Sequence, residues 1–90
     1  LWAKVKIEDY FNPNAIVVPS QYIYEDAAYK SFVFVAKNVN GNQGVAKKVF
    51  ITKGEKSENS IEIKSGLNKG DILITDGSKT LVDGQKIKIQ

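Results

Sequence analysis

Between residues 66 and 89 the chain reads G-L-N-K-G-D-I-L-I-T-D-G-S-K-T-L-V-D-G-Q-K-I-K-I, and this spacing leaves little room for anything but short strands. Gly and Asp recur at fixed intervals around brief apolar runs. Gly reverses a chain by tolerating positive φ, and Asp does so by hydrogen-bonding its own backbone. Gly66, Gly70, Asp71, Asp76, Gly77, Asp83 and Gly84 are accordingly read as structural turn residues. The stretch holds no His, no Cys and no nucleophile set beside a base. It specifies a backbone path rather than a reaction, so the function is sought in assembly.

The rest of the chain continues in the same style. Residues 1–8 alternate, with Leu1, Ala3, Val5 and Ile7 on one face and Lys4, Lys6 and Glu8 on the other, the pattern of a half-buried strand. Residues 9–14 (D-Y-F-N-P-N) interrupt it, since Asn-Pro forces an extended or turned backbone. This divides the chain into a segment 1–8, a linker 9–14 and a domain 15–90. Residues 15–18 form a short apolar run stopped by Pro19, and residues 22–29 (Y-I-Y-E-D-A-A-Y) read as a turn. Residues 31–37 (S-F-V-F-V-A-K) are the strongest strand signal and are apolar on both faces, which predicts a central strand. Residues 38–44 form a hairpin loop in which Asn40-Gly41 supplies two positive-φ residues. The chain returns over 45–53, with Val49 and Ile51 on one face, and turns over 54–59. Further strands are predicted at 60–64, 71–75 and 86–90, with a single helical turn at 78–82. The predicted fold is all-β: a small antiparallel β-roll or barrel with at most one short helical turn.

Composition removes most chemistries. Ninety residues, 42% hydrophobic and 26% charged, suit one domain with a modest core. No apolar run approaches the roughly 20 residues needed to cross a bilayer. The opening Leu-Trp-Ala-Lys has neither a leading Met nor a charged signal region, which suggests a piece cut from a longer chain. There is no Cys, His or Met, so the commonest metal ligands and the usual general base are missing. The six serines, Ser20, Ser31, Ser57, Ser60, Ser65 and Ser78, lack a histidine, and none sits in a nucleophile elbow. Neither phosphate-binding glycine motif occurs. Asp71, Asp76 and Asp83 lie beside glycines or at strand starts, without the spacing of a calcium loop. No catalytic residue, cofactor site or metal site is assigned.

All thirteen basic residues are Lys. Specific nucleic-acid readout leans on the bidentate fork of Arg, so no nucleic-acid partner is expected. A single-stranded platform would need aromatics on one face among basic residues. Phe32, Phe34 and Phe50 are instead placed in the core. Tyr22, Tyr24 and Tyr29 cluster in an irregular segment, and exposed Tyr is enriched at protein interfaces. With Asn40 and Asn42 of the hairpin loop they are the candidate partner-binding residues; packing over the rim of the barrel is the plainer reading of the tyrosines.

Taken together, A-I-V-V-P-S-Q-Y-I (residues 15–23), F-V-F-V (32–35), V-F-I-T-K-G (49–54), I-E-I-K-S-G-L-N-K-G-D (61–71), T-D-G (75–77) and L-V-D-G-Q-K-I-K-I (81–89) resemble the C-terminal part of a periplasmic adaptor. These are the membrane fusion proteins, HlyD-like, of tripartite efflux pumps of the resistance-nodulation-division (RND) type. The resemblance implies a membrane-proximal β-roll that docks on the inner-membrane efflux transporter, beside neighbouring adaptor protomers, in support of transmembrane export. It implies that residues 1–8 (L-W-A-K-V-K-I-E) are the last strand of a preceding β-barrel domain. The helical hairpin and lipoyl domain that reach the outer-membrane channel, the membrane anchor, and an N-terminal segment contributing to the roll would lie outside this chain. A roll lacking that strand would expose an edge, and the fragment is expected to self-associate there or by swapping residues 1–8. The absence of Met and His favours export of organic molecules over metal ions. Lysines such as Lys53 and Lys56 could sit near anionic headgroups. The competing readings are an adaptor for an ATP-driven exporter, a small oligonucleotide-binding barrel and, last, a cryptic hydrolase.

Overall fold

The structure, a computed structural model, describes residues 2–12, 14–77 and 81–90. In chain order it forms β1 (Ala3–Glu8), β2 (Val17–Pro19), a 3-10 turn (Ser20–Tyr22), β3 (Tyr24–Glu25), β4 (Ser31–Asn40), β5 (Gln43–Phe50), β6 (Thr52–Lys56), β7 (Ser60–Ser65), β8 (Ile72–Asp76) and β9 (Lys86–Ile89). Strands β4, β5, β9, β1 and β8 pair in that order, and β8 pairs back onto β4, closing a five-stranded barrel. β3 extends the sheet at the start of β4, while β2, β7 and β6 form a separate three-stranded sheet. Every pairing is antiparallel except that of β1 with β9, which is parallel.

The double-sided apolar character of β4 has a direct structural cause. Phe34 and Ala36 face the barrel interior with Val5, Ala46, Ile74, Leu81 and Ile87. Val33 and Val35 face the other way, into a second core with Val18, Ile63 and Leu73 beneath the three-stranded sheet. One strand thus serves two cores, and a polar residue on either face would face an apolar layer.

β1 carries the alternation read from its sequence, with Val5 buried and Lys4, Lys6 and Glu8 exposed. It is hydrogen-bonded along both edges, to β8 and to β9. β1 is thus a stave of this barrel. The free edges among the described residues include β2 and β6, each with a single partner strand.

Other expectations shift locally. β4 runs to Asn40, so the hairpin loop shrinks to Gly41 and Asn42. Positive φ falls at Asn38 and Gly41 rather than at Asn40, because β4 bulges between Lys37 and Asn40. Gly54, expected in a turn, lies inside β6. Among the described residues the single helical turn is Ser20–Tyr22; the one expected at 78–82 falls partly on residues outside those described.

At Ile51 the chain leaves the barrel for the second sheet, anchored by the Ile51 N–H donating to the Ser31 carbonyl at 3.0 Å. Gly66, with φ +107°, lies at this crossing, where an added Cβ would meet the Phe50 carbonyl and the Ile51 backbone. A Cβ there has no space.

Candidate functional site

The aromatic residues of β3, β4 and β5 converge at one end of the barrel. Tyr24 pairs with Phe32, and Phe32 with Phe50, so period-two alternation places them with Phe34 on the barrel-facing side. The rings contact each other in tilted or edge-on arrangements, with centroids 5.8 Å apart for Tyr24–Phe32, 5.7 Å for Phe32–Phe34 and 6.1 Å for Phe32–Phe50. The barrel is too short to bury all of them. Phe34 is buried, Tyr24 and Phe32 are half-buried, and Phe50 is 49% exposed. The assignment of Phe50 to the core is thus corrected: it stands at the last rung of the ladder, where no further strand covers it.

The rings of Tyr24, Phe32 and Phe34 floor an open groove of about 410 Å³ walled by Leu81, Val82, Asp83 and Glu25, and Phe50 stands just outside it against Phe32. Val82 is 63% exposed. The Lys48 ammonium lies 4.2 Å from the Phe32 ring centroid and 5.3 Å from that of Phe50, a cation–π seat above the floor. The wall at 82–85 is fastened to β5: the Asp83 carboxylate accepts the Lys48 N–H at 2.8 Å and sits 3.9 Å from the Lys47 ammonium. The Gly84 N–H donates to the Ala46 carbonyl at 2.7 Å, and Ala46 donates to Gln85 at 2.8 Å. Asp83→Ala should lower stability by about 1 kcal/mol, read in urea melts, since it removes one charge-assisted hydrogen bond at an exposed site. Glu25 on the opposite wall pairs with Lys53 at 3.7 Å. The groove therefore has an apolar floor and a rim of balanced charge, which suits a protein surface better than a small charged solute.

The candidate residues of the sequence do not form one site. Tyr24 lines the groove. Tyr22 packs against the second core, beside Tyr10, whose hydroxyl is pushed above the ordinary tyrosine range by burial, then by Tyr22 and Glu8. Tyr29 is 83% exposed at φ +63°, on a turn where the Asp26 carboxylate accepts the N–H of Ala28 and of Lys30. Asn40 ends β4 and Asn42 lies in the loop after it, about 26 Å from Tyr24 at 3.3 Å per residue along β4. There Asn40 pairs with Gln43, and the Asn42 carbonyl accepts the Ile89 N–H at 2.7 Å. Lys48, Phe50, Leu81 and Val82 were not singled out. The Phe32–Phe50 pairing was the available clue, but it depends on hairpin register.

The turn residues have definite geometry. Gly66, Gly70, Gly77 and Gly84 all have positive φ. Asp71 accepts the Asn68 N–H at 2.9 Å and the Lys37 ammonium at 2.6 Å, and Asp76 accepts the Gly77 N–H at 2.9 Å. Among the described residues no group of three or more His, Cys, Asp or Glu could hold a metal ion. No helix among them is long and apolar enough to cross a membrane.

The described residues thus form a closed all-β barrel backed by a small sheet, with an aromatic groove at its mouth. Residues 15–89 match the family model described as YknX, C-terminal permuted SH3-like domain, and the chain belongs to that family. The family is a membrane-fusion, HlyD-type adaptor domain of periplasmic type. No curated protein and no solved structure matched the chain.

Proposed function

We propose that this domain is a non-catalytic assembly module of an efflux-pump adaptor, and that it docks on the inner-membrane transporter through the groove at the barrel mouth. The carrying observation is an aromatic groove with exposed apolar edges in a domain of an adaptor family: Val82 on its wall and Phe50 beside its floor remain open to solvent. Exposed aromatics ringed by balanced charge are the usual anchors of protein interfaces. The domain works at the membrane-proximal, periplasmic end of the adaptor, which is held to the inner membrane by a segment outside these residues. Neighbouring protomers complete a ring, and other parts of the adaptor reach the outer-membrane channel. Pairing between copies of this chain falls to the β2 and β6 edges.

The test uses the full-length adaptor and the transporter encoded with it. Phe50→Ser with Val82→Ser should weaken their association about 30-fold, the equivalent of roughly 2 kcal/mol, with little change in melting temperature because both side chains are already half in water. Undiminished co-purification and export would remove the groove from the docking surface. Replacing Tyr29, Asn40 and Asn42 with Ala in the same assay decides whether the turn and hairpin add contacts. The RND-type reading requires export to collapse with the proton gradient; export sensitive to vanadate instead assigns the adaptor to an ATP-driven transporter.

A further inference from the structure

On the side of the barrel formed by β1 and β9, four lysines gather without an ion pair among the described residues. The two strands run parallel, with Ala3 beside Ile87, Lys4 beside Lys88 and Val5 beside Ile89. Val5 and Ile87 point inward, so Lys4 and Lys6 of β1 and Lys86 and Lys88 of β9 are all exposed on the outside. The ion pairs among the described residues use Lys37, Lys47 and Lys53. None of these four lysines has a carboxylate within pairing distance there. On the β5 side their neighbours are uncharged, Gln43 beside Lys88 and Val45 beside Lys86. On the β8 side Asp76 stands opposite Lys6 in register, but its carboxylate accepts the Gly77 N–H. Glu8 closes the far end of β1. Trp2 lies at the near end, 44% exposed, with the Lys86 ammonium 5.7 Å from its ring.

Like charges side by side on adjacent strands destabilise the free barrel. An anionic partner would remove that cost. We propose that this face rests on an anionic bilayer surface, with lipid headgroup phosphates over Lys4, Lys6, Lys86 and Lys88 and the Trp2 ring at headgroup depth. Lys is a compact point charge without the fork of Arg, so it suits a layer of laterally mobile phosphates better than one fixed carboxylate or base edge. A lone Trp beside the lysines matches the ring that settles at a membrane interface. Stacking on nucleic acid would need several aromatics here, and the ring cluster lies instead at the barrel mouth. The contact is separate from the groove and independent of the transporter's class, so its failure leaves the docking role standing.

Trp2 is the chain's single Trp, which makes its emission a reporter of this face. The chain is titrated with phosphatidylcholine vesicles and with vesicles of about one part phosphatidylserine to two parts phosphatidylcholine, at low and high salt. Binding and a blue shift are expected with the anionic vesicles alone, weakening as salt rises. Each neutralised lysine should cost about 5-fold in affinity, so Lys4→Gln with Lys88→Gln should lose about 25-fold. Lys53→Gln with Lys56→Gln, on β6 of the other sheet, should lose little. All four side chains are exposed, and circular dichroism confirms that the variants fold. Equal binding to neutral vesicles, an unshifted Trp2, no loss in the β1–β9 variant or an equal loss in the β6 variant overturns the proposal. So does displacement by millimolar inorganic phosphate, which would mark a phosphate site, or stronger binding to polyglutamate or single-stranded DNA than to the vesicles.

Discussion

Gly66→Ala is expected to cost roughly 3 kcal/mol or more, whereas Gly70→Ala should cost about 1–2 kcal/mol. Both glycines have positive φ, so both substitutions strain the backbone. The difference is space. At Gly70 no atom lies within 4 Å of an added Cβ, while at Gly66 the Cβ would meet the Phe50 carbonyl oxygen and approach the Ile51 Cα to 2.9 Å. These are main-chain atoms at the point where the chain passes from barrel to second sheet, and they cannot rotate away. Gly77, at φ +81°, would press a Cβ onto the Lys4 carbonyl of β1 and should behave like Gly66; Gly84 is open and should behave like Gly70. A domain of this size has a stability of about 5–10 kcal/mol. Gly66→Ala should therefore lower the urea midpoint far more than Gly70→Ala. Equal midpoints for the two variants would show that the crossing is not tightly packed.

Ile87→Ala is expected to cost about 2–5 kcal/mol, with Ile87→Val costing about 1 kcal/mol. Ile87 is fully buried on β9, the four-residue strand that links β5 to β1 in the ring. Its side chain packs in the same interior cluster as Val5, Ala46 and Ile74. Ala36 and Ala46 face each other across the β4–β5 ladder and have no rotamer with which to fill a void. The cavity should therefore persist, and the loss should sit near the upper part of that range. Chemical denaturation of the three chains, with the slope held constant, provides the check. A loss under 1 kcal/mol for the alanine variant would mean that β9 is dispensable to closure.

Strand-forming segments and most reversals were legible because both are local. Alternation in residues 1–8 shows which side chains of β1 face inward whatever β1 pairs with. The apolar faces of residues 31–37 announced a strand with two buried sides, and the structure supplies two cores. The candidate site was less legible. Phe50 looks like Phe34 in sequence, yet one is half exposed and the other buried. They differ only in their distance from the end of the barrel, which depends on where β3 and the turn at 82–85 dock. Tyr22, Tyr24 and Tyr29 lie within eight residues of one another but enter a core, a groove and an open turn, because a 3-10 turn and a two-residue strand rotate the chain between them.

The sequence by itself determined an all-β chain, its turn glycines and its lack of histidine, cysteine and methionine chemistry. Each of these follows from side-chain period, φ preference or composition, and none needs a distant neighbour. Only the tertiary structure decided that β1 closes the ring between β8 and β9, that the aromatics meet at its mouth, and that Lys4 lies beside Lys88. Those facts depend on pairing residues up to 84 positions apart, and the register of such a pair is set by how whole faces pack rather than by any residue read alone.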